Sequence, residues 1–199
     1  MPWEKQFDKD EVLEKAGRAF WEGGYEGTCM TALLEQMGIQ KGSFYATFGS
    51  KHQVLLDSLE RYVTRHLTAL RELGRETSPR AALERHLGEV TNNACGEGRN
   101  LGCYLVNTSL ELAPRDPDVQ ALAQRTLAAH EKVYAALLAE AREKGEVSAD
   151  LDPNATARAL LALVLGLRVL SRSGVPETVI RSAHDQALRL LAEPSRAGP

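Results

Sequence analysis

From about Asp8 to Leu191 the apolar residues recur three and four positions apart, and no stretch shows the strict apolar–polar alternation of a strand. A chain with this period buries its hydrophobic side chains by packing helix on helix. The first helix is expected over about Asp8 to Glu22, with Val12, Leu13, Ala16, Ala19 and Phe20 as its apolar stripe and Gly23-Gly24 as its end. Thr28 suits the N-cap of a second helix, about Cys29 to Met37, and a short third covers about Lys41 to Thr47. Ser50 can cap a fourth, about Lys51 to Leu73, which Gly74 breaks. Pro79 fits the first turn of a fifth, ending near Cys95 before the loop Gly96 to Asn100. A sixth runs from about Gly102 to Pro114 and a seventh from Asp116-Pro117 to Lys144. An eighth runs from Asp152-Pro153 to Ser173-Gly174, and a ninth from about Glu177 to Leu191. The expected fold is all-α, with nine helices.

Bulk properties narrow the function. Of the 199 residues 43% are hydrophobic and 26% charged, as in an ordinary globular chain. No uninterrupted apolar run approaches the roughly 18 residues of a membrane span, because Gly166 and Arg168 break the longest. The charged start, MPWEKQFDKDEVLEK, lacks the apolar centre of a signal peptide, so a cytoplasmic protein without a membrane partner is expected. Three cysteines, with no CxxC pair, argue against both a disulfide framework and a structural zinc site. A net charge of −3 argues against a protein that coats nucleic acid indiscriminately, but leaves room for a locally basic reading surface.

That surface is the segment Met37 to Lys51, MGIQKGSFYATFGSK, which carries no acidic residue. Gly38 supplies the sharp turn between two helices that a helix-turn-helix needs. Leu33, Leu34, Ile39, Phe44 and Phe48 are spaced to hold the helices together. Lys41, Ser43, Tyr45, Ala46 and Thr47 then point the other way, toward a major groove, and Gln40 beside them completes the set. Gly42 permits close approach of backbone to phosphate, and Thr28 and Lys51 can reach phosphates on either side. The division expected is a helix-turn-helix unit in residues 1–50, a six-helix sensing and dimerisation bundle in 51–193, and a disordered tail in 194–199.

The stretch AGRAFWEGGYEGTCMTALLEQMGIQKGSFYATFGSK resembles the TetR family of bacterial transcriptional regulators. The resemblance rests on Phe20, Gly24-Tyr25, Thr28, Gly38, Lys41-Gly42, Phe44-Tyr45, Phe48 and Ser50-Lys51. It implies a homodimeric repressor that occupies double-stranded operator DNA and releases it when a ligand enters the C-terminal part. It also implies that Thr28, Lys41, Gly42, Ser43, Tyr45, Thr47 and Lys51 occupy DNA-contact positions. Two departures stand out. Ala46-Thr47 replaces a larger polar or aromatic residue followed by histidine, which bears on the operator sequence, and Leu34 replaces alanine.

The sensing half centres on Cys103, expected at a helix N-terminus where unpaired N–H groups favour a thiolate, with Arg99 adding positive charge and Cys95 as a resolving partner. The segment ACGEGRNLGCYLVNTSLELAP resembles TetR-type regulators that respond to electrophiles and oxidants through a cysteine at this Gly-Cys step. Tyr62, His66, His86, Asn93, Asn107 and Tyr134 are candidates for a ligand cavity between helices. His66, His86, Cys95 and Cys103 match no compact metal motif, so neither metal nor cofactor is expected. The family parallel assigns Ala159, Ala162, Leu163, Gly166, Val169, Ala183, Ala187 and Leu190 to a four-helix dimer interface. The alternative is a thiol-dependent enzyme acting on electrophiles or peroxides, although no HExxH, phosphate loop or GxSxG is present.

Overall fold

The computed structural model describes residues 7–96 and 100–191. Arg99 and the tail 194–199 lie outside them. Among the described residues there are nine helices and no strand. They are α1 (Lys9–Gly23), α2 (Met30–Met37), α3 (Lys41–Phe48), α4 (Lys51–Glu76), α5 (Pro79–Cys95), α6 (Tyr104–Leu112), α7 (Pro117–Glu143), α8 (Pro153–Arg172) and α9 (Glu177–Arg189).

Local chemistry sets most of these boundaries. Asp8, Ser50, Ser78, Asp116 and Asp152 each accept a hydrogen bond from the first-turn backbone of the helix that follows. Each such cap contributes about 1 kcal/mol. Proline occupies the first turn of α5, α7 and α8, where its missing N–H costs nothing. Gly38 ends α2 in the left-handed region, at φ 69° and ψ 26°. Its N–H donates to Glu35 O at 3.1 Å and that of Ile39 to Leu34 O at 3.3 Å, the paired bonds of a Schellman turn.

Three boundaries differ from expectation. Thr28 does not cap α2; Cys29 takes that position without a side-chain bond. The Thr28 hydroxyl turns inward and donates to Gly24 O at 2.7 Å. Gly74 does not break α4, which continues to Glu76. A Cβ on Gly74 would lie 2.7 Å from Leu137 Cδ2, so glycine here lets α4 and α7 approach closely. Helix α6 starts at Tyr104, leaving Cys103 as its N-cap with extended backbone (φ −118°, ψ 129°).

Two buried clusters form the interior. One joins α1–α3 and the first half of α4 to α6 and the start of α7, with Phe20, Leu33, Phe44, Leu55, Tyr104 and Leu122 all buried. The other joins the end of α4 to α5, α8, α9 and the rest of α7. The first cluster crosses residue 50, so the reading unit is packed onto sensing-half helices with no gap between them. Helix α8 is long and apolar enough, by length and composition, to cross a membrane, unlike the expectation that no segment qualifies. Only 28% of that stretch is buried within the chain.

Candidate nucleic-acid interface and sensor pocket

Helix α3 is fixed from behind. Phe44 and Phe48 are buried and their rings lie 5.8 Å apart, packed with Leu33 and Met37 of α2. This leaves Gln40, Lys41, Gly42, Ser43, Tyr45, Ala46 and Thr47 exposed on the other side. Among the described residues no hydrogen bond or ion pair engages the side chains of Lys41, Ser43, Tyr45 or Thr47. A cation, three hydroxyls and a methyl thus stand together on one short helix, with their bonding capacity available to an outside partner.

The two flanking candidates are placed differently. Thr28 is buried, its hydroxyl engaged with Gly24 O, so it braces the turn instead of facing outward. Lys51 Nζ donates to Tyr25 O at 2.6 Å and lies 4.2 Å from the centre of the Tyr25 ring. The lysine clamps the α1–α2 turn to the start of α4; its ammonium is committed within the protein.

Several long-range contacts tie the reading unit to the sensing half. The Glu111 carboxylate, on α6, accepts from the Tyr25 N–H at 3.1 Å and the Glu26 N–H at 2.9 Å. The Leu101 carbonyl, two residues before Cys103, accepts from Trp21 Nε1 of α1 at 2.9 Å and Asn107 Nδ2 of α6 at 2.7 Å. It also accepts from Arg172 of α8 at 3.4 Å. Asn107 therefore belongs to this junction and not to the cavity where it was expected. His52 Nε2 meets Asp116 Oδ2 at 2.8 Å, joining the start of α4 to that of α7. With Asp118 these two form a compact His–Asp–Asp group, in which the other Asp116 oxygen is engaged in capping α7.

Behind the junction lies a pocket of about 70 Å³ between α4 and α8. Cys103, Tyr62, His66, His86 and Tyr134 line it as the sequence suggests, joined by His130 and Arg168, with Val63, Val90, Leu127, Leu161, Val164 and Leu165 as apolar wall. Tyr62 donates to Cys103 Sγ at 3.7 Å and stacks edge-on with His66 at 4.3 Å. Burial, followed by the Arg168 charge, lowers both His66 and His86 to about 4, so both imidazoles are neutral near pH 7. Burial pushes the Tyr62 and Tyr134 phenols up. The Tyr134 hydroxyl is buried and has no hydrogen-bond partner. Asn93 is exposed and does not line the pocket. Cys95 packs on the other core cluster, and none of the three cysteines is disulfide-bonded.

On α8, Ala159, Ala162 and Val169 are exposed, and a Cβ on Gly166 would meet open space. Leu163, Ala183 and Leu190 are half-buried against the subunit's own core. Ala187 is fully buried there with Ile180 and Leu191, because the inward stripe of α9 faces α5, so it cannot face a partner.

Residues 12–57 match the family described as bacterial regulatory proteins, tetR family, and residues 79–186 match the tetracyclin repressor-like C-terminal domain. The chain belongs to the TetR family. It is 30% identical to the uncharacterized HTH-type transcriptional regulator YezE of Bacillus subtilis, over 94% of this chain and 97% of YezE. It is 27% identical to the HTH-type transcriptional repressor ComR of Escherichia coli, over 95% of this chain and 91% of ComR. Among solved structures, the TetR family regulator CifR, as a cysteine mutant with 26-base-pair operator DNA, superposes with a TM-score of 0.82 at 27% identity, covering 93% of this chain and 97% of CifR. The reduced form of E. coli NemR shares the fold, with a TM-score of 0.85 at 23% identity over 95% of this chain and all of NemR. The chain is thus a DNA-binding transcriptional regulator with the all-α fold of its family, and its relatives give the enzymatic alternative no support.

Residues that sequence reasoning missed are Trp21, Leu101, Glu111, His130, Arg168 and Arg172. Only Arg168 left a signal, as a cation inside the apolar run from Leu160 to Leu170.

Proposed function

We propose that the protein is a homodimeric repressor, acting on DNA in the cytoplasm, whose α3 enters the major groove of an operator. Occupation of the pocket, or modification of Cys103, releases it. One observation carries this reading: Cys103 opens into the pocket at the N-cap of α6, and Glu111 near the other end of the same helix holds the turn that precedes α2. A change at the thiol reaches the reading unit through one rigid element. Two alternative positions of α6, each favouring a different spacing of the reading heads, would let ligand and DNA compete by population shift.

The exposed α8 face supports the dimer, since a helix this apolar and so little buried within its own chain needs a covering surface. The exposed members of that face are Ala159, Ala162 and Val169, with half-buried Gly166 between them; Leu163, Ala183 and Leu190 stand at its margin. Contact with six to ten phosphates would weaken operator binding roughly 10³- to 10⁵-fold between 50 and 200 mM salt.

The test is fluorescence anisotropy on the DNA upstream of the protein's own gene, before and after alkylation with N-ethylmaleimide. Operator affinity should drop at least about tenfold, a coupling typical of allosteric sites, and Cys103→Ser should abolish the drop. Unchanged affinity with Cys103 fully alkylated defeats the thiol arm of the proposal.

A further inference from the structure

The chemistry of the pocket wall is one-sided. Arg168 is its one fixed charge among the described lining residues, and no carboxylate lines it. No described carboxylate forms an ion pair with the Arg168 guanidinium. A guanidinium in a mostly apolar wall, without a counter-charge, is completed by an anion. Tyr134 also lines this space, and its buried hydroxyl has no partner, so it is available as a second donor. Arg168 lines the pocket together with Tyr62, His66, His86 and Tyr134. Neither His66 nor His86 is a competing cation near pH 7, since burial keeps both neutral. The third imidazole, His130, is also held toward its neutral form by burial, and its Nδ1 lies 3.0 Å from Thr126 O.

Size narrows the ligand further. A space of about 70 Å³ takes roughly five to seven water-sized groups at ~10–15 Å³ each. Leu127, Leu161, Val164 and Leu165 offer a short hydrocarbon surface opposite the polar groups.

We propose that the effector of this pocket is a small monocarboxylate with an apolar body, its carboxylate held by Arg168 and the Tyr134 hydroxyl. This rests on the reading of the pocket as the effector site. An amide of the same shape leaves Arg168 uncompensated, and an amine is repelled by it. The step is reversible binding and needs no bond to Cys103.

The full-length protein is titrated by calorimetry, at fixed ionic strength, with straight and branched monocarboxylates from acetate to hexanoate, with the matching amides and with n-butylamine. Operator affinity is read by anisotropy in the same buffers. At least one carboxylate should bind at least about tenfold tighter than its amide, and Arg168→Gln should weaken it by at least about tenfold, as expected for a charge-assisted pair. Tyr134→Phe should weaken it severalfold, and the bound carboxylate should lower operator affinity. Circular dichroism checks that Arg168→Gln is folded; if it is not, Tyr134→Phe and the carboxylate–amide comparison on the unaltered protein decide. Amides binding as well as acids, no acid binding below roughly 10 mM, or an acid indifferent to both substitutions overturns the proposal. An amide that lowers operator affinity while acids do not bind overturns the anion class and leaves the effector pocket standing. An acid that binds through Arg168 without changing operator affinity overturns the effector role.

Discussion

Gly42 sits in the first turn of α3 on its exposed side, and an added Cβ there would meet no atom of the protein. Nothing internal requires glycine. Gly42→Ala should therefore stabilise the fold by about 0.5–1 kcal/mol, the usual gain for alanine in a helix. It should nevertheless weaken operator binding, by standing between backbone and phosphate. Thermal melts and anisotropy on the same variant check both halves. Lys41 and Lys51 should separate in the same experiments. Lys41→Ala should leave the melting temperature alone and reduce the salt slope by about 1. Lys51→Ala should lower the melting temperature as well, because it removes the bond to Tyr25 O and the ring contact. The outward set on α3 was legible because Phe44 and Phe48, four positions apart, fix which way the remaining side chains point. The internal bonds of Thr28 and Lys51 were not legible, because their partners are backbone carbonyls at turns, which leave no trace in residue type.

Helix α6 is nine residues long and is anchored at both ends. Near its start, Leu101 O gathers Trp21, Asn107 and Arg172; near its end, Glu111 holds two amides of the α1–α2 turn. Glu111→Gln keeps an acceptor but removes the charge, and should cost about 1–2 kcal/mol of the hold on that turn. Hydrogen exchange at the Tyr25 and Glu26 amides should speed up, and alkylation of Cys103 should have less effect on operator affinity. Unaltered exchange at both amides would show that the carboxylate is not what protects them. None of this was visible beforehand: Glu111 lies 86 residues from Tyr25, and sequence periodicity only marks α6 as a short amphipathic helix. The helix starts were easier to read, since Ser78-Pro79, Asp116-Pro117 and Asp152-Pro153 carry cap and first-turn proline together.

At the level of the whole molecule, two half-buried histidines, His66 and His86, make stability depend on pH. Their folded pKa values are about 4, against 6.5 in the unfolded chain, so between those values the unfolded state binds more protons. Stability should be full above pH 6.5 and fall as pH drops toward 4, by up to about 1.4 kcal/mol per pH unit per histidine. Denaturant titrations at pH 7 and 5 should show the loss, and a His66→Asn/His86→Asn pair should shrink it. The apolar α8 face belongs to the same scale. Val169→Glu should favour monomers in sedimentation velocity, and the melting temperature of the unaltered protein should rise with protomer concentration.

The bond from Trp21 to Leu101 has an optical consequence. The chain holds two tryptophans, and one of them sits where the reading unit meets the loop that leads to Cys103. Its indole N–H is engaged, and its ring packs 5.4 Å from Tyr62, which also borders the pocket. Ligand entry or operator release that shifts this joint should move the emission of Trp21, so the protein carries its own fluorescent gauge, with no label needed.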